Sequence, residues 1–184
     1  MLLVVDNGSI YTKNLRDFLL EQNVKYEEHN AGNTENFLTP DQLQKFDSFI
    51  LTGRKENNRI LNAKNSKIIK YAISEKKQLL GICYGAEILT LTLGGTIKKS
   101  NKQVKGKETV IVVKKNKICQ DKIDVFESHR YEISQLGNQL HCLASSKSCK
   151  YEVIKHNEHN IFGTQFHPEM SSDGLSIIQA FLSL

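Results

Sequence analysis

Several features that would place the chain in a specialised class of protein are missing. None of its four cysteines belongs to a CxxC pair or stands at metal-ligand spacing from a histidine; they are Cys83, Cys119, Cys142 and Cys149. Disulfide frameworks are typical of small secreted domains, and 184 residues can bury an ample hydrophobic core without one. We therefore expect a cytoplasmic protein with reduced thiols and no metal site.

Membrane and export signals are missing as well. No apolar run approaches the roughly 18 residues that a membrane-spanning helix needs. The sequence starts on the strand-like run Leu2-Leu3-Val4-Val5 rather than on the pattern of a signal peptide. No linker, repeat or low-complexity tract divides the chain, so we expect no membrane association and a single domain over residues 1–184.

The net charge of +5 is concentrated in one stretch, because eight lysines lie between residues 98 and 117. No aromatic residue is interleaved with them, and no nucleic-acid-binding motif accompanies them. This pattern argues against nucleic-acid binding and favours solvated edge strands, which lysines protect from unwanted pairing. Docking against an acidic partner is the alternative.

The first half of the sequence alternates between strand and helix patterns. Apolar runs predict strands over 2–5, 24–29, 46–52 and 79–82, and helical spacing predicts helices over 11–21, 60–76 and 84–93. Polar loops are expected around Gly32 and over 54–59, with a short helical turn over 41–45. Strands that are continuously apolar indicate a parallel, twisted sheet covered by helices on both faces, in the α/β class.

The second half of the sequence has a different pattern of predicted elements. Short strand-like runs over 96–99, 104–113, 125–129, 139–145 and 151–156 predict a small mixed or antiparallel extension of the same sheet. A last strand over 161–166 and a helix over 173–184 end the chain. In such sheets the reactive loops lie at the carboxyl ends of the strands, where Asn7-Gly8, Thr52-Gly53 and Cys83 should meet.

The run Gly81-Ile82-Cys83-Tyr84-Gly85 has the form of a nucleophile elbow, in which a strand turns sharply into a helix. A cysteine at a helix N-terminus gains thiolate character from the free N–H groups. A buried structural cysteine is the alternative, since free cysteine is common in cores. The elbow alone does not decide between them.

A second motif supplies what a thiol nucleophile requires. His167 ends an apolar strand and should emerge at the same sheet edge, and Glu169 follows two residues later. A histidine takes the proton of the nucleophile, and a carboxylate fixes the histidine tautomer. A surface turn that contains both residues by chance is the alternative.

These paired motifs, Gly-Ile-Cys-Tyr-Gly at 81–85 and Gly-Thr-Gln-Phe-His-Pro-Glu at 163–169, resemble class I glutamine amidotransferases over essentially the whole chain. The resemblance implies that Cys83 attacks the carboxamide of L-glutamine, with His167 as general base and acid and Glu169 as its orienting carboxylate. It implies oxyanion donors in the backbone of Tyr84 and of Gly53 or Arg54. No cofactor is implied.

The resemblance also implies that Ser128, His129 and Arg130 lie where the family holds the amino-acid end of glutamine. Three positions depart from the family pattern. Arg54 follows Gly53 where the family has glycine or proline, and Tyr131 replaces the aspartate of Ser-His-x-Asp. Glu87 replaces a glutamine that contacts the substrate carboxamide, so the resemblance implies that Glu87 is a substrate-binding residue. An ionised Glu87 only accepts hydrogen bonds and opposes an oxyanion. We expect a weak or partner-activated glutaminase.

Asp-Asn-Gly-Ser at 6–9, Ser128-His129 and Phe166–Met170 are most similar to separate glutaminase subunits of archaeal-type GMP synthases. That similarity implies that the partner is an ATP-dependent synthetase subunit, because the chain has no phosphate-binding loop. The small subunit of anthranilate synthase is an alternative. So are a hydrolase of other γ-glutamyl compounds and a catalytically silent regulatory module.

Overall fold

The computed structural model describes residues 1–32, 38–56 and 58–184. Within them nine strands are β1 (Leu2–Asn7), β2 (Tyr26–Asn30), β3 (Ser48–Arg54), β4 (Gln78–Ile82), β5 (Thr96–Val112), β6 (Lys122–Gln135), β7 (Leu140–Ser145), β8 (Val153–His156) and β9 (Ile161–Thr164). They form one sheet in the order β2-β1-β3-β4-β9-β8-β7-β5-β6.

Helices cover both faces of the parallel part of this sheet. They are α1 (Thr12–Glu21), the single turn α2 (Pro40–Leu43), α3 (Arg59–Ser74), α4 (Tyr84–Thr92) and α5 (Ser172–Leu182). The apolar faces of α1 and α5 pack into one core, and those of α3 and α4 pack into the other. All six residues of β1 are buried, as a strand covered on both sides requires.

The predicted α/β class is confirmed. Strands β2, β1, β3, β4 and β9 pair in parallel. The other four pairings are antiparallel, so the extension accounts for half of the eight strand pairings. At the far edge β6 curls back, because Phe126 forms an isolated bridge with His167 just after β9. The extension therefore reaches the carboxyl edge of the parallel strands.

Several predicted boundaries were wrong. The separate strands expected over 96–99 and 104–113 are one strand, β5, with an irregularity between Lys99 and Val104. β6 is longer than the predicted 125–129 because it pairs along almost the whole of β5. The loop expected over 54–59 is shorter than predicted, because Arg54 is the last residue of β3 and Arg59 is the first residue of α3. Parts of the two predicted loops, residues 33–37 and Asn57, lie outside the described residues.

The lysine-rich stretch follows β5 beside the edge strand β6, with most of its ammonium groups in solvent. Lys98 forms an ion pair with Glu132 of β6 at 2.9 Å. In the part of the chain that the structure describes, no helix is long and apolar enough to cross a membrane.

Phe162 gives a direct test of the central strand. Its side chain is fully buried in β9, between β4 and β8. We expect Phe162→Ala to lower the free energy of unfolding by about 3–5 kcal/mol, because the cavity adds to the lost transfer energy. Urea denaturation measures this change. Ile111→Ala, which truncates a side chain that is 48% exposed, is the control and should cost under about 1 kcal/mol. Equal losses in the two variants would contradict the described core.

Candidate active site

Cys83 occupies a sharp turn between β4 and α4. Its φ of 50° and ψ of −103° place a non-glycine residue in a strained backbone conformation at the N-terminus of α4. A Cβ on Gly85 would lie 2.3 Å from the carbonyl oxygen of Leu51, and one on Gly81 would meet the backbone of Gly85 at 2.5 Å. A side chain at either glycine would therefore collide with the neighbouring backbone. The absence of side chains at these two positions allows the chain to form the predicted elbow.

His167 and Glu169 lie at the same edge, because β4 and β9 are parallel neighbours. The Nδ1 atom of His167 is 2.8 Å from Oε1 of Glu169, and both side chains are buried. Pro168 opens a single 3-10 turn, Pro168–Met170, which folds the carboxylate back under the imidazole. This contact favours the tautomer that carries its proton on Nδ1 and leaves Nε2 to act as base.

The groups around the Cys83 thiol shift its pKa in opposite directions. Burial raises the pKa of Cys83, the adjacent His167 lowers it, and the carboxylates of Glu87 and Glu169 raise it again. Burial alone would lower the pKa of His167, but Glu169 and Cys83 together raise it well above its ordinary value. The net effect on Cys83 is a raised pKa because burial outweighs the imidazolium, and His167 is the neighbour that favours the thiolate.

Residues 126–129 of β6, called the strap below, lie across this pair. The backbone N–H of His167 donates to the carbonyl of Phe126 at 2.9 Å. The thiol of Cys83 lies 4.0 Å from the carbonyl oxygen of Ser128. One short segment thus contacts both the nucleophile candidate and the base candidate.

The three residues predicted to hold an amino-acid end all border one cleft with Cys83 and His167. Its volume is about 290 Å³, near the lower end of the range for small-molecule sites. Ser128 and Arg130 line it. His129 also borders it, but its buried ring contacts the carbonyl of Tyr131 at 2.9 Å through Nδ1, and its Nε2 lies 3.2 Å from Glu127. A groove of about 1150 Å³ along β5 and β6 contains neither Cys83 nor His167.

The predicted oxyanion residues flank the thiol. Tyr84 is the first residue of α4, where backbone N–H groups have no partner within the helix. Gly53 packs against the imidazole, since a Cβ there would lie 2.8 Å from Cε1 of His167. Arg54 continues β3 outside the positive-φ region, and its guanidinium stacks on the ring of Tyr84 at 4.0 Å. An arginine therefore fits at this position, because the backbone there does not need the positive φ that glycine readily adopts.

Glu87 lies one helical turn behind the nucleophile candidate and is 4% exposed. Burial raises its pKa, while Arg54 and a weak hydrogen bond from the Nε2 of Gln165, 3.4 Å away, lower it. This carboxyl group therefore protonates at a higher pH than an exposed glutamate does. Its charge in the cleft depends on pH.

Sequence reasoning missed two residues of the site. The ring of Tyr11 lies 4.6 Å from that of His167, and its hydroxyl donates to Oγ of Ser128 at 3.1 Å. Only the position of Tyr11 just after the first sheet-edge turn hinted at this. Gln165 stands within the motif at 163–169, and its side chain joins Glu87 to the carbonyl of Tyr131.

Over residues 1–32, 38–56 and 58–184, no three His, Cys, Asp or Glu side chains are grouped to hold a metal ion. The functional groups at the cleft include a thiol and an imidazole that a carboxylate orients. Such a set can perform nucleophilic substitution at an acyl group.

The contact between Gly53 and His167 predicts a sensitive position. Gly53→Ala should displace the imidazole and slow alkylation of Cys83 by iodoacetamide at neutral pH by roughly 10- to 100-fold, since small misplacements have effects of that size. Peptide mass spectrometry over time measures the rate. Gly32→Ala, at a glycine that does not line the cleft, is the control and should leave the rate unchanged. An unchanged rate in Gly53→Ala would contradict the described packing.

Comparison with known proteins agrees with this geometry. The family model of class-I glutamine amidotransferases matches residues 3–182. A glutamine-hydrolyzing GMP synthase subunit of Sulfolobus acidocaldarius is 31% identical over 158 residues, which cover 80% of this chain and 83% of that protein. The glutamine-hydrolyzing GMP synthase of Macrococcus caseolyticus is 26% identical over 99% of this chain but only 35% of its own length.

A solved structure extends the match. The crystal structure of a protein assigned to the same kind of GMP synthase subunit, from Thermoplasma acidophilum, superposes with a TM-score of 0.85 and 28% identity, covering 99% of this chain and 92% of that one. Motifs, strand order and the family model agree over nearly the full length. The chain belongs to the class-I glutamine amidotransferase family.

Proposed function

We propose that this chain is the glutaminase subunit of a GMP synthase. It hydrolyses L-glutamine to glutamate and ammonia, and the ammonia passes to a separate ATP-dependent synthetase subunit that aminates XMP. The observation that carries the proposal is the buried contact of His167 with Glu169 beside Cys83 in a chain of this family.

In the proposed reaction the thiolate of Cys83 attacks the side-chain carbonyl carbon of glutamine. Backbone N–H groups of Tyr84 and of Gly53 or Arg54 stabilise the oxyanion, and each such donor is worth roughly 2.7–4 kcal/mol in comparable sites. The imidazolium of His167 gives its proton to the departing nitrogen, and ammonia leaves. The same imidazole then activates a water that hydrolyses the γ-glutamyl thioester and regenerates the thiol.

The cleft suits a zwitterionic amino acid. The cationic side chains of Arg54, Lys55 and Arg130 border it and favour an α-carboxylate, and Ser128 offers a hydroxyl and a carbonyl group. His129 acts as a positioning residue because its ring is engaged with Tyr131 and Glu127. The carboxylate of Glu87 weakens the site by opposing charge on the sulfur and on the oxyanion.

The identity of the ammonia acceptor is inferred from the relatives. Those at 31% and 28% identity carry the name of a GMP synthase subunit. The chain matches 35% of the longer GMP synthase, whereas it matches 83% and 95% of two relatives that are named as separate subunits, and this supports a separate synthetase partner. This favours GMP synthase over anthranilate synthase.

Cys83→Ala should abolish glutaminase activity and labelling by an electrophilic glutamine analogue, since no other thiol borders the cleft among the described residues. Intact-protein mass spectrometry and a glutamate assay measure both effects. Cys142→Ala is the matched control and should behave like the wild type. No labelling under any condition would favour a silent module, and labelling only by other γ-glutamyl compounds would favour the alternative hydrolase.

Transfer to the acceptor needs its own assay. With amide-¹⁵N-glutamine, ATP, XMP and a synthetase subunit from a GMP synthase, ¹⁵N should appear in GMP and glutaminase activity should rise. An active glutaminase that transfers no ¹⁵N would contradict the GMP synthase assignment and leave the glutaminase intact.

Glu87→Gln should raise kcat for glutamine hydrolysis by up to roughly tenfold, which corresponds to about one unit of pKa on the thiol. Because burial raises the pKa of Glu87, the wild-type carboxyl is protonated at low pH and resembles the amide. The advantage of the variant should therefore grow as pH rises. Glu158→Gln, on the surface, is the control. An equal or slower Glu87→Gln variant would contradict the electrostatic argument.

A further inference from the structure

Tyr11 plays no part in the proposed mechanism, yet it contacts both the base candidate and the strap. Its ring centroid lies 4.6 Å from that of His167, with the two planes inclined at 62°. The ring of Phe126, which belongs to the strap, lies 5.7 Å away at an angle of 76°. The hydroxyl of Tyr11 donates to Oγ of Ser128 at 3.1 Å. One side chain therefore contacts the imidazole, the strap and a residue of the proposed glutamine site.

The turn between β1 and α1 holds the backbone of Tyr11 in place. The N–H of Tyr11 donates to Oγ of Ser9 at 3.1 Å, and its carbonyl accepts from the N–H of Asn14 at 3.0 Å. The next residue, Thr12, donates its hydroxyl to the buried carboxylate of Asp6 at 2.8 Å. The side chain of Tyr11 therefore starts from an anchored backbone, so its ring and hydroxyl can hold their neighbours in position.

The imidazole of His167 needs such support, because its action as a base depends on where Nε2 lies. Glu169 contacts Nδ1 at 2.8 Å, and Gly53 packs against Cε1. The ring of Tyr11 adds a near edge-to-face contact, at a separation that aromatic pairs prefer. Without that ring we expect the imidazole to tilt about its contact with Glu169, which would move Nε2 relative to Cys83.

The hydroxyl of Tyr11 has a separate consequence at Ser128. A serine hydroxyl has one hydrogen to donate and two lone pairs that accept. Since Oγ of Ser128 accepts the hydrogen of Tyr11, its own hydrogen is not used in this contact. Ser128 borders the cleft in which we place the α-carboxylate of glutamine. The contact with Tyr11 therefore leaves Ser128 able to act as a donor toward the substrate.

We propose that Tyr11 is a positioning residue for glutamine hydrolysis with two separable actions. Its ring holds the imidazole of His167 in position beside Cys83, which supports the chemical step. Its hydroxyl orients that of Ser128 toward the α-carboxylate of glutamine, which supports binding. Both actions rest on the proposed function, because they serve its base, its nucleophile and its substrate.

Tyr11→Phe removes the hydroxyl and keeps the ring, so it tests the second action alone. We expect KM for glutamine to rise roughly 2- to 10-fold, the effect of losing one hydrogen bond, with kcat within about twofold of the wild type. Steady-state glutaminase assays measure both constants. Tyr26→Phe, at a partly buried tyrosine that does not line the cleft, is the matched control and should change neither constant. An unchanged KM in Tyr11→Phe would contradict the role of the hydroxyl.

A double-mutant cycle shows whether the hydroxyl acts through Ser128. Ser128→Ala should itself raise KM, and the addition of Tyr11→Phe should raise it no further, because the partner of the hydroxyl is already absent. A merely structural role of Tyr11 would instead make the two effects multiply, since each substitution would loosen the cleft on its own. Multiplied effects would therefore reject the positioning role of the hydroxyl.

Tyr11→Leu removes the ring as well and tests the first action. We expect kcat to fall roughly 10- to 100-fold, since displacement of a reacting group by about 1 Å has effects of that size. Alkylation of Cys83 by iodoacetamide at neutral pH should slow by a similar factor, because His167 is the neighbour that favours the thiolate. In Tyr11→Phe the alkylation rate should stay at the wild-type value. An equal or faster rate in Tyr11→Leu would overturn the role of the ring.

Alkylation does not require glutamine, so it separates this inference from the proposed function. Slower alkylation in Tyr11→Leu, together with no glutamine hydrolysis by the wild-type chain, would keep the ring contact and reject the proposed function. Glutamine hydrolysis with unaltered constants in both Tyr11 variants would keep the function and reject the role of Tyr11. Urea denaturation shows whether each variant is folded. Tyr11→Met, which fills the space without a ring, replaces Tyr11→Leu if that variant does not fold, and the same outcomes apply to it.

Discussion

The parallel pairing of β4 with β9 determines where the reactive groups meet. Leu79 pairs with Ile161 and Ile82 with Thr164, so the two strands end level with each other. Cys83 follows one strand, and His167 follows the other after two further residues. The N–H of Cys83 donates to the carbonyl of Thr164 at 2.7 Å, which extends the ladder to the elbow itself. The glycines at 81 and 85 allow the neighbouring backbone to close around this pairing.

The charged groups around the cleft have opposing effects on the ionisation of the Cys83 thiol. A thiolate is favoured by the imidazolium of His167 and disfavoured by burial and by Glu87. Glu169 supports the imidazolium directly and opposes the thiolate from a greater distance. Arg54 stacks over Tyr84 and moderates the charge of Glu87. The departures from the family pattern therefore compensate one another in part, which suits a glutaminase of restrained activity.

Much of this arrangement could be predicted from the sequence. Continuous apolar runs identified the parallel strands, and the paired motifs identified Cys83, His167 and Glu169, because local backbone geometry dictates those residue types. The curl of β6 could not be predicted, since it depends on pairing between residues far apart in the chain. For the same reason the contacts of Tyr11 with His167 and Ser128 have no local signature.

The central claim is that Cys83 forms a γ-glutamyl thioester with glutamine. Rapid acid quench of the chain during turnover of ¹³C-labelled glutamine, followed by peptide mass spectrometry, measures that intermediate directly. We expect a labelled glutamyl group on the peptide that contains Cys83, and its accumulation when His167 is replaced by a residue that cannot activate water. Glutamine turnover with no labelled peptide at Cys83 under any quench condition would contradict the claim.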